Sequence, residues 1–251
     1  MNMATEWTAA RTAAADSGPM SIVGGTWVHT PPTVEEVDPV AILGTLAGVL
    51  RWNGRLGPTC TVAAHTWALL RWAELARNDG RGLTGRDVAA LSAADYDDLR
   101  RALLVHDWHE AWTGDITGPT KKALRELVGE GRDVAAQIDT LQAWIDAAIR
   151  TRLDFVLPSP DVRLLVKKMD SAICSAECIA WELRPDLLPR VLAKHGEPDP
   201  FAVVASLEAK RLSERCPNPI RRALDGDEFL PPIVSFLRDE FDCLFPNHER
   251  E

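Results

Sequence analysis

The chain has 251 residues, with 28 Lys and Arg against 37 Asp and Glu, so its formal net charge at pH 7 is −9. An acidic chain gains no long-range attraction to a polyanion, which argues against duplex nucleic acid as its ligand. The stretches without a charged residue fall short of the roughly 20 apolar residues that cross a bilayer. We therefore expect a cytoplasmic protein without a membrane-spanning helix. The five cysteines are odd in number and form no CxxC pair, which favours reduced thiols over a disulfide framework.

The chain is predicted to fold as one domain with short additions at both ends. With 46% hydrophobic residues it can bury a core without disulfides or metals, so any metal site would serve function. Residues 1–20, rich in Ala and Thr, are expected to form a flexible N-terminal tail, and residues 21–215 the main domain. The Pro-rich residues 216–251 are expected to pack on the same domain as a helical cap.

Hydrophobic periodicity and the positions of proline and glycine predict the elements. A strand-like stretch around Gly24 and Gly25 predicts a short hairpin ahead of the first helix. Asp38 before Pro39 predicts a capped helix start, and Ser92 predicts another. Helices are expected over residues 40–50, 61–76, 91–112, 119–154, 160–181 and 233–245, the third and fourth of them in two pieces. The predicted fold class is therefore all-α.

A polar cluster interrupts an apolar helical segment at His106, Asp107 and Glu110. Burying such groups is costly unless they pair or bind a ligand. Imidazole and carboxylate together suit a divalent metal such as Zn, Mn, Co or Fe better than the all-oxygen shell that Ca and Mg prefer. His65 on an earlier helix and Asp170 on a later one are available as further ligands. The expected cofactor is therefore one divalent transition metal, bound with positions left for water and phosphate oxygen.

The segment His106–Lys121, HDWHEAWTGDITGPTK, resembles a motif of a known family. It is similar to the pattern HDxxExxTGDxxxPxK of the bacterial 5′-deoxynucleotidases and their phage-borne relatives, which belong to the HD-domain phosphohydrolases. The pair Arg51 and Trp52, followed by a V-x-x-H helix that carries His65, also resembles this family, as does the K-x-x-D segment ending at Asp170. The resemblance covers roughly half of the chain and implies a helical bundle of the HD-domain type.

The resemblance implies a role for each residue that matches the motif. The implied metal ligands are His65, His106, Asp107 and Asp170. Glu110 matches the catalytic glutamate of the family, which positions or deprotonates the attacking water. Asp115 matches the acid of the TGD turn, which assists at the phosphate.

Three further residues match positions that bind substrate in the family. Arg51 matches a phosphate-binding arginine, and a guanidinium suits the two-pronged grip that phosphate offers. Trp52 matches a tryptophan that packs near the sugar and disfavours a 2′-hydroxyl. Lys121 matches a lysine near the phosphate, and a solvated lysine at a helix start is an equal alternative. The sequence predicts a surface position for His109 and assigns no chemistry to Glu177.

The implied function is a metal-dependent phosphohydrolase that releases phosphate from deoxynucleoside 5′-monophosphates by attack of a metal-activated water. Two alternatives remain open: a phage-type triphosphohydrolase of deoxynucleoside triphosphates such as dATP, and a non-catalytic protein that senses nucleotides. The expected partner is a small deoxynucleotide, not duplex nucleic acid or a membrane. A homo-oligomer is implied by the resemblance alone.

Overall fold

The computed structural model describes residues 20–54, 60–80, 82–127, 134–180 and 232–246. Within these ranges the chain is mostly helical, which confirms the prediction of an all-α fold class for this part of the protein. None of the helices in these ranges has the length and apolarity needed to span a membrane. The expected tail, apart from its last residue, lies outside the described residues. So do residues 181–231 and 247–251, which include the end of the fifth predicted helix and both ends of the predicted C-terminal cap.

Two short strands form an antiparallel pair ahead of the first helix. Strand β1 is Met20–Val23, strand β2 is Thr26–His29, and Val23 stands opposite Thr26. Gly24 closes the turn with a positive φ of 59°, a conformation that favours glycine. A Cβ atom on Gly24 would lie 2.5 Å from the Cβ atom of Ala41. The turn therefore lies directly on the first helix, where only glycine allows this close approach.

The remaining described elements are helices. In chain order they are α1 (Pro39–Leu46), a 3₁₀ helix (Arg51–Gly54), α2 (Val62–Asp79), α3 (Gly82–Ala89), α4 (Ala93–Val105), α5 (Glu110–Thr113), α6 (Gly118–Leu127), α7 (Val134–Arg152), α8 (Pro160–Ala180) and α9 (Pro232–Leu244). The predicted two-part helix after residue 119 is observed as α6 and α7.

Side-chain caps fix the starts of three helices, two of them as predicted. The Asp38 carboxylate accepts hydrogen bonds from the amides of Val40 and Ala41, at 2.9 and 3.2 Å. The hydroxyl of Ser92 caps α4, and the hydroxyl of Thr61 caps α2. Each cap supplies an acceptor to amides that have no partner within the helix.

The predicted helix over residues 91–112 is broken at the polar cluster. Helix α4 ends at Val105, and His106 and His109 lie in the turn that leads to α5. The amide of Trp108 donates to the carbonyl of Val105 at 3.1 Å, and the amide of Glu110 donates to that of Asp107 at 3.0 Å. Bonds of this shorter span tighten the backbone and end the regular helix. The expectation that both histidines lie within helices is therefore wrong.

Helix α2 lies at the centre of the described bundle. It packs against α3, α4, α8 and α9, and α8 also packs along α4. Helix α9 crosses α1, α2 and α4, so the C-terminal helix closes one side of the core. Fully buried side chains from different elements meet there, including Leu69, Leu103, Trp108, Met169 and Leu237. This packing places the start of α2 beside the turn after α4 and beside the C-terminal half of α8.

Replacing Asp38 by Ala is expected to lower the free energy of unfolding by about 1 kcal/mol, because the first turn of α1 loses its acceptor. Asp38→Asn keeps an acceptor and should retain most of the stability. Urea unfolding of the three proteins, followed by circular dichroism, measures the difference. Equal losses in both variants would show that charge, not capping, is the contribution of Asp38.

Candidate metal centre

Four segments that are distant in sequence bring polar side chains to one buried place. The 3₁₀ helix contributes Arg51, the first turn of α2 contributes His65, and the turn after α4 contributes His106 and Asp107. Helix α8 contributes the rest, Asp170, Cys174 and Glu177. The amide of Arg51 donates to the carbonyl of Cys60 at 2.9 Å, which holds the 3₁₀ helix beside the start of α2.

His106 presents one ring nitrogen to the cluster. Its Nδ1 atom donates to the carbonyl oxygen of Leu103 at 2.7 Å, so in the neutral imidazole the lone pair is on Nε2. The Nε2 atom is buried and has no hydrogen-bond partner, although the Oδ2 atom of Asp107 lies 3.1 Å away. The two atoms are close but not aligned as donor and acceptor, which is the relation expected of two ligands of one cation.

His65 is oriented in the same way by a different acceptor. Its Nδ1 atom donates to the Oε1 atom of Glu177 at 2.8 Å. Its Nε2 atom lies 3.1 Å from the Oδ1 atom of Asp170 and 3.9 Å from the Oδ2 atom of Asp107. An oxygen acceptor on the outer nitrogen is the usual partner of a metal-binding histidine, because it fixes both the tautomer and the ring orientation.

These side chains fit a divalent transition metal. The described residues contain buried groups of His, Asp, Glu and Cys whose possible ligand atoms lie within 4.8 Å of one another. The sets are His65 with His106 and Asp107, His65 with Asp170 and Cys174, and Asp107 with His109 and Glu110. The first two sets share His65 and together contain all four predicted ligands. In the third set, the Nδ1 atom of His109 is already bonded to Asp146 at 3.1 Å.

The electrostatics of the cluster favour a positive charge on His65, between the carboxylates of Glu177 and Asp170. Burial and the charge of Arg51 lower the pKa of His65, but Glu177 and Asp170 overcome both effects and raise it to about 9. Burial would raise the pKa of Asp170, but its hydrogen bond with His65 lowers it to about 2. The surroundings thus stabilise a cation at the His65 Nε2 atom, and a divalent metal held by neutral imidazole would satisfy the same demand.

Glu110 lies beside the cluster, with a carboxylate oxygen within 4.8 Å of Asp107, and its surroundings favour the protonated form. Burial raises its pKa to about 9, and the negative charge of Asp107 adds to the effect. Its Oε2 atom is buried without a hydrogen-bond partner. A carboxyl in this state can hold a proton and release it to a nearby group, which is the property that general acid–base chemistry requires.

Arg51 is the buried counter-charge of the cluster. Only 6% of the residue is exposed, and three of its nitrogens have partners within the protein. Nε donates to Glu177 at 3.2 Å, Nη1 to the Oδ2 atom of Asp107 at 3.2 Å, and Nη2 to the Sγ atom of Cys174 at 2.9 Å. The predicted phosphate-binding arginine is thus also part of the ion-pair network, with N–H donors left over because each Nη carries two hydrogens.

Trp52 bonds Asp115 through its backbone amide and Glu177 through its indole. The amide of Trp52 donates to the Oδ2 atom of Asp115, and the indole Nε1 atom donates to the Oε2 atom of Glu177 at 3.4 Å. Trp52 has a positive φ of 56°, a conformation that costs free energy in a residue with a side chain. These two bonds hold the strained residue at the edge of the cluster.

Lys121 lies outside this cluster. Its ammonium group donates to Asp139 at 3.2 Å and to Gln142 at 2.6 Å, and so links α6 to α7. The lysine predicted to add charge near a phosphate therefore has partners of its own elsewhere. A role in connecting the two helices accounts for its described contacts.

Sequence analysis missed two residues of this cluster, Cys174 and Glu177. Glu177 is 2% exposed and contacts His65, Arg51 and Trp52. A signal was present, because Cys174 and Glu177 follow Asp170 by one and two helical turns and so share its face of α8. A glutamate on the buried face of a helix, aligned with a proposed ligand, indicates an outer partner of the metal site.

Comparison with known proteins adds no assignment. No model of a protein family matches the chain, and no curated protein matches it significantly.

Replacing His106 by Ala is expected to weaken divalent metal binding by more than the roughly 10–100-fold that loss of an outer partner costs. The reason is that the variant loses a nitrogen that faces two other predicted ligands. Titration with Co²⁺, followed by its visible absorption and by calorimetry, measures the affinity.

The matched control for this variant is His109→Ala, a histidine in the same turn that contacts Asp146. It should bind Co²⁺ about as tightly as the unchanged protein. A larger loss of Co²⁺ affinity in His109→Ala than in His106→Ala would indicate that the metal binds instead at the set of Asp107, His109 and Glu110.

Proposed function

We propose that this protein is a metal-dependent phosphohydrolase that releases phosphate from deoxynucleoside 5′-monophosphates. The observation that carries the proposal is the pair of oriented histidines, His65 and His106, facing the carboxylates of Asp170 and Asp107, with the carboxyl of Glu110 within 4.8 Å of Asp107. The resemblance of the segment His106–Lys121 to the 5′-deoxynucleotidase motif of the HD-domain phosphohydrolases supports this substrate class.

The proposed metal ligands are His65, His106, Asp107 and Asp170. A divalent metal held by these residues would supply a Lewis acid that polarises a phosphoryl group and lowers the pKa of water. The Asp170 side chain is 37% exposed, while the His65 side chain is 0% exposed. Solvent and substrate would therefore reach the cluster from the side of Asp170.

Glu110 is proposed as the group that moves the proton. Hydrolysis of a phosphate monoester needs a proton to leave the attacking water and another to reach the 5′-oxygen as its bond to phosphorus breaks. The Glu110 Oε2 atom has no competing hydrogen-bond partner. With a pKa of about 9, the carboxyl holds a proton until a nearby cation lowers that pKa. Loss of that proton to solvent would leave a carboxylate ready to accept one from water.

Arg51 and Trp52 are proposed to recognise the substrate. The remaining N–H donors of Arg51 suit a phosphate oxygen, and its burial strengthens that contact. The position of Trp52, fixed by Asp115 and Glu177, is proposed to exclude a 2′-hydroxyl. Asp115 is thus proposed to act through Trp52 as well as beside the phosphate.

A triphosphohydrolase would use the same cluster, because the residues around the phosphorus under attack do not depend on the length of the phosphate chain. A nucleotide sensor would need the ligands and Arg51 but not Glu110. The buried Oε2 atom of Glu110, which has no hydrogen-bond partner, favours an enzyme over a sensor, because an unsatisfied buried group is costly in a protein that only binds.

Cobalt- or manganese-loaded protein is expected to release orthophosphate from deoxynucleoside 5′-monophosphates and to act poorly on the matching ribonucleotides. A panel of ribo- and deoxynucleoside mono-, di- and triphosphates, with chromatographic separation of products, is the measurement. Tripolyphosphate from a deoxynucleoside triphosphate would identify the triphosphohydrolase instead. No product with any of the candidate metals would support the sensor.

Replacing Glu110 by Gln is expected to lower kcat by about 10²–10⁴-fold, because the group that transfers the proton is lost. Affinity for Co²⁺ should stay within a few-fold, since the four proposed ligands are unchanged. Steady-state kinetics and the Co²⁺ titration measure the two effects on the same preparation. Full turnover in Glu110→Gln would exclude the proposed proton transfer.

A further inference from the structure

Glu177 joins two parts of the cluster that have separate proposed tasks. One carboxylate oxygen holds the ligand His65, and the other holds the Arg51 and Trp52 pair. We propose that Glu177 is a positioning residue that makes metal binding and nucleotide binding reinforce each other. The inference rests on the proposed function for its nucleotide, but its metal half stands on the geometry alone.

The Oε1 atom of Glu177 determines which ring nitrogen of His65 would face a metal. The Oε1 atom accepts the Nδ1 proton at 2.8 Å, which leaves Nε2 facing Asp170 and Asp107. His65 is 1% exposed, so no water competes for this bond. Removing the acceptor would let the imidazole change tautomer and turn its lone pair away from the other ligands.

The second oxygen of Glu177 holds the substrate side of the cluster. The Oε2 atom accepts from Nε of Arg51 at 3.2 Å and from the indole of Trp52 at 3.4 Å. Both donors belong to the short 3₁₀ helix and are neighbours in sequence, so one carboxylate oxygen bonds both side chains. Glu177 therefore sets the direction of the guanidinium and of the indole together.

A second contact explains how metal binding would change the hydrogen bonds of Arg51. The Nη1 atom of Arg51 donates to the Oδ2 atom of Asp107, the same oxygen that faces both histidine Nε2 atoms. A cation on that oxygen competes with Nη1 for it. Glu177 would keep the planar guanidinium of Arg51 in place through Nε while Nη1 donates to a phosphate oxygen, and a bound phosphate would in turn leave Asp107 to the metal.

Such a link between two ligands is reciprocal, so it can be measured from either side. The probes are Co²⁺ and a non-hydrolysable 5′-phosphonate analogue of a deoxynucleoside monophosphate. Calorimetry gives the Co²⁺ affinity alone, and the analogue affinity with and without Co²⁺. In the unchanged protein, Co²⁺ is expected to increase analogue affinity several-fold or more.

Glu177→Ala removes both acceptor oxygens. It is expected to reduce Co²⁺ affinity about 10–100-fold, to change the visible Co²⁺ spectrum, and to bring the ratio of the two analogue affinities close to one. Glu177→Asp keeps the charge for folding but is too short to reach both sides. Glu177→Asp should therefore keep part of the Co²⁺ affinity, while the ratio of the analogue affinities with and without Co²⁺ stays close to one. Circular dichroism in EDTA checks that both variants fold.

The matched control is Glu240→Ala, which removes a carboxylate bonded to Arg100 between α9 and α4. It should leave the Co²⁺ spectrum and the ratio unchanged. Co²⁺ affinity and spectrum like those of the unchanged protein in Glu177→Ala would overturn the proposal, and so would a normal ratio in Glu177→Asp. If the unchanged protein does not bind the analogue, the coupling and the proposed substrate both fail, while the Co²⁺ result alone decides whether Glu177 positions His65.

Discussion

The buried ion pairs of Arg51 hold the centre of this protein together. The guanidinium lies between Glu177 and Asp107, each at 3.2 Å, in a place that water scarcely reaches. Removing any charged group from water is costly, and the cost is offset here only because each group has an oppositely charged neighbour. Helix α8, the turn after α4 and the 3₁₀ helix must therefore be in register before any of these charges can be buried.

This requirement accounts for several local features that would otherwise be unfavourable. Trp52 has a left-handed backbone, and bonds to Asp115 and Glu177 compensate for its strain. Helix α4 ends one residue before His106, which frees the carbonyl of Leu103 to accept the imidazole proton. The hairpin adds support from outside, because the hydroxyl of Ser21 donates to the carbonyl of Trp112 at 3.3 Å.

The features that follow from short-range signals could be predicted from sequence, and those that depend on packing could not. Asp38 and Ser92 identify helix starts because a cap acts on amides only two or three residues away. His106 and Asp107 stood out because polar residues in an apolar segment need partners. The contact of Glu177 with His65 depends instead on how far α8 is shifted along α2. The sequence pattern places a residue on a helix face but does not determine this shift.

The partners in the cluster are far apart in the chain. His65 is separated from Glu177 by 112 positions, and Arg51 from the same residue by 126. Because synthesis runs from the N-terminus, the 3₁₀ helix that carries Arg51 leaves the ribosome long before the carboxylate of Glu177. Until then, docking the 3₁₀ helix into a core would bury the guanidinium of Arg51 without one of its two carboxylate partners. The buried ion pairs of Arg51 can thus form only after α8 has been synthesised, and the native fold is completed only then.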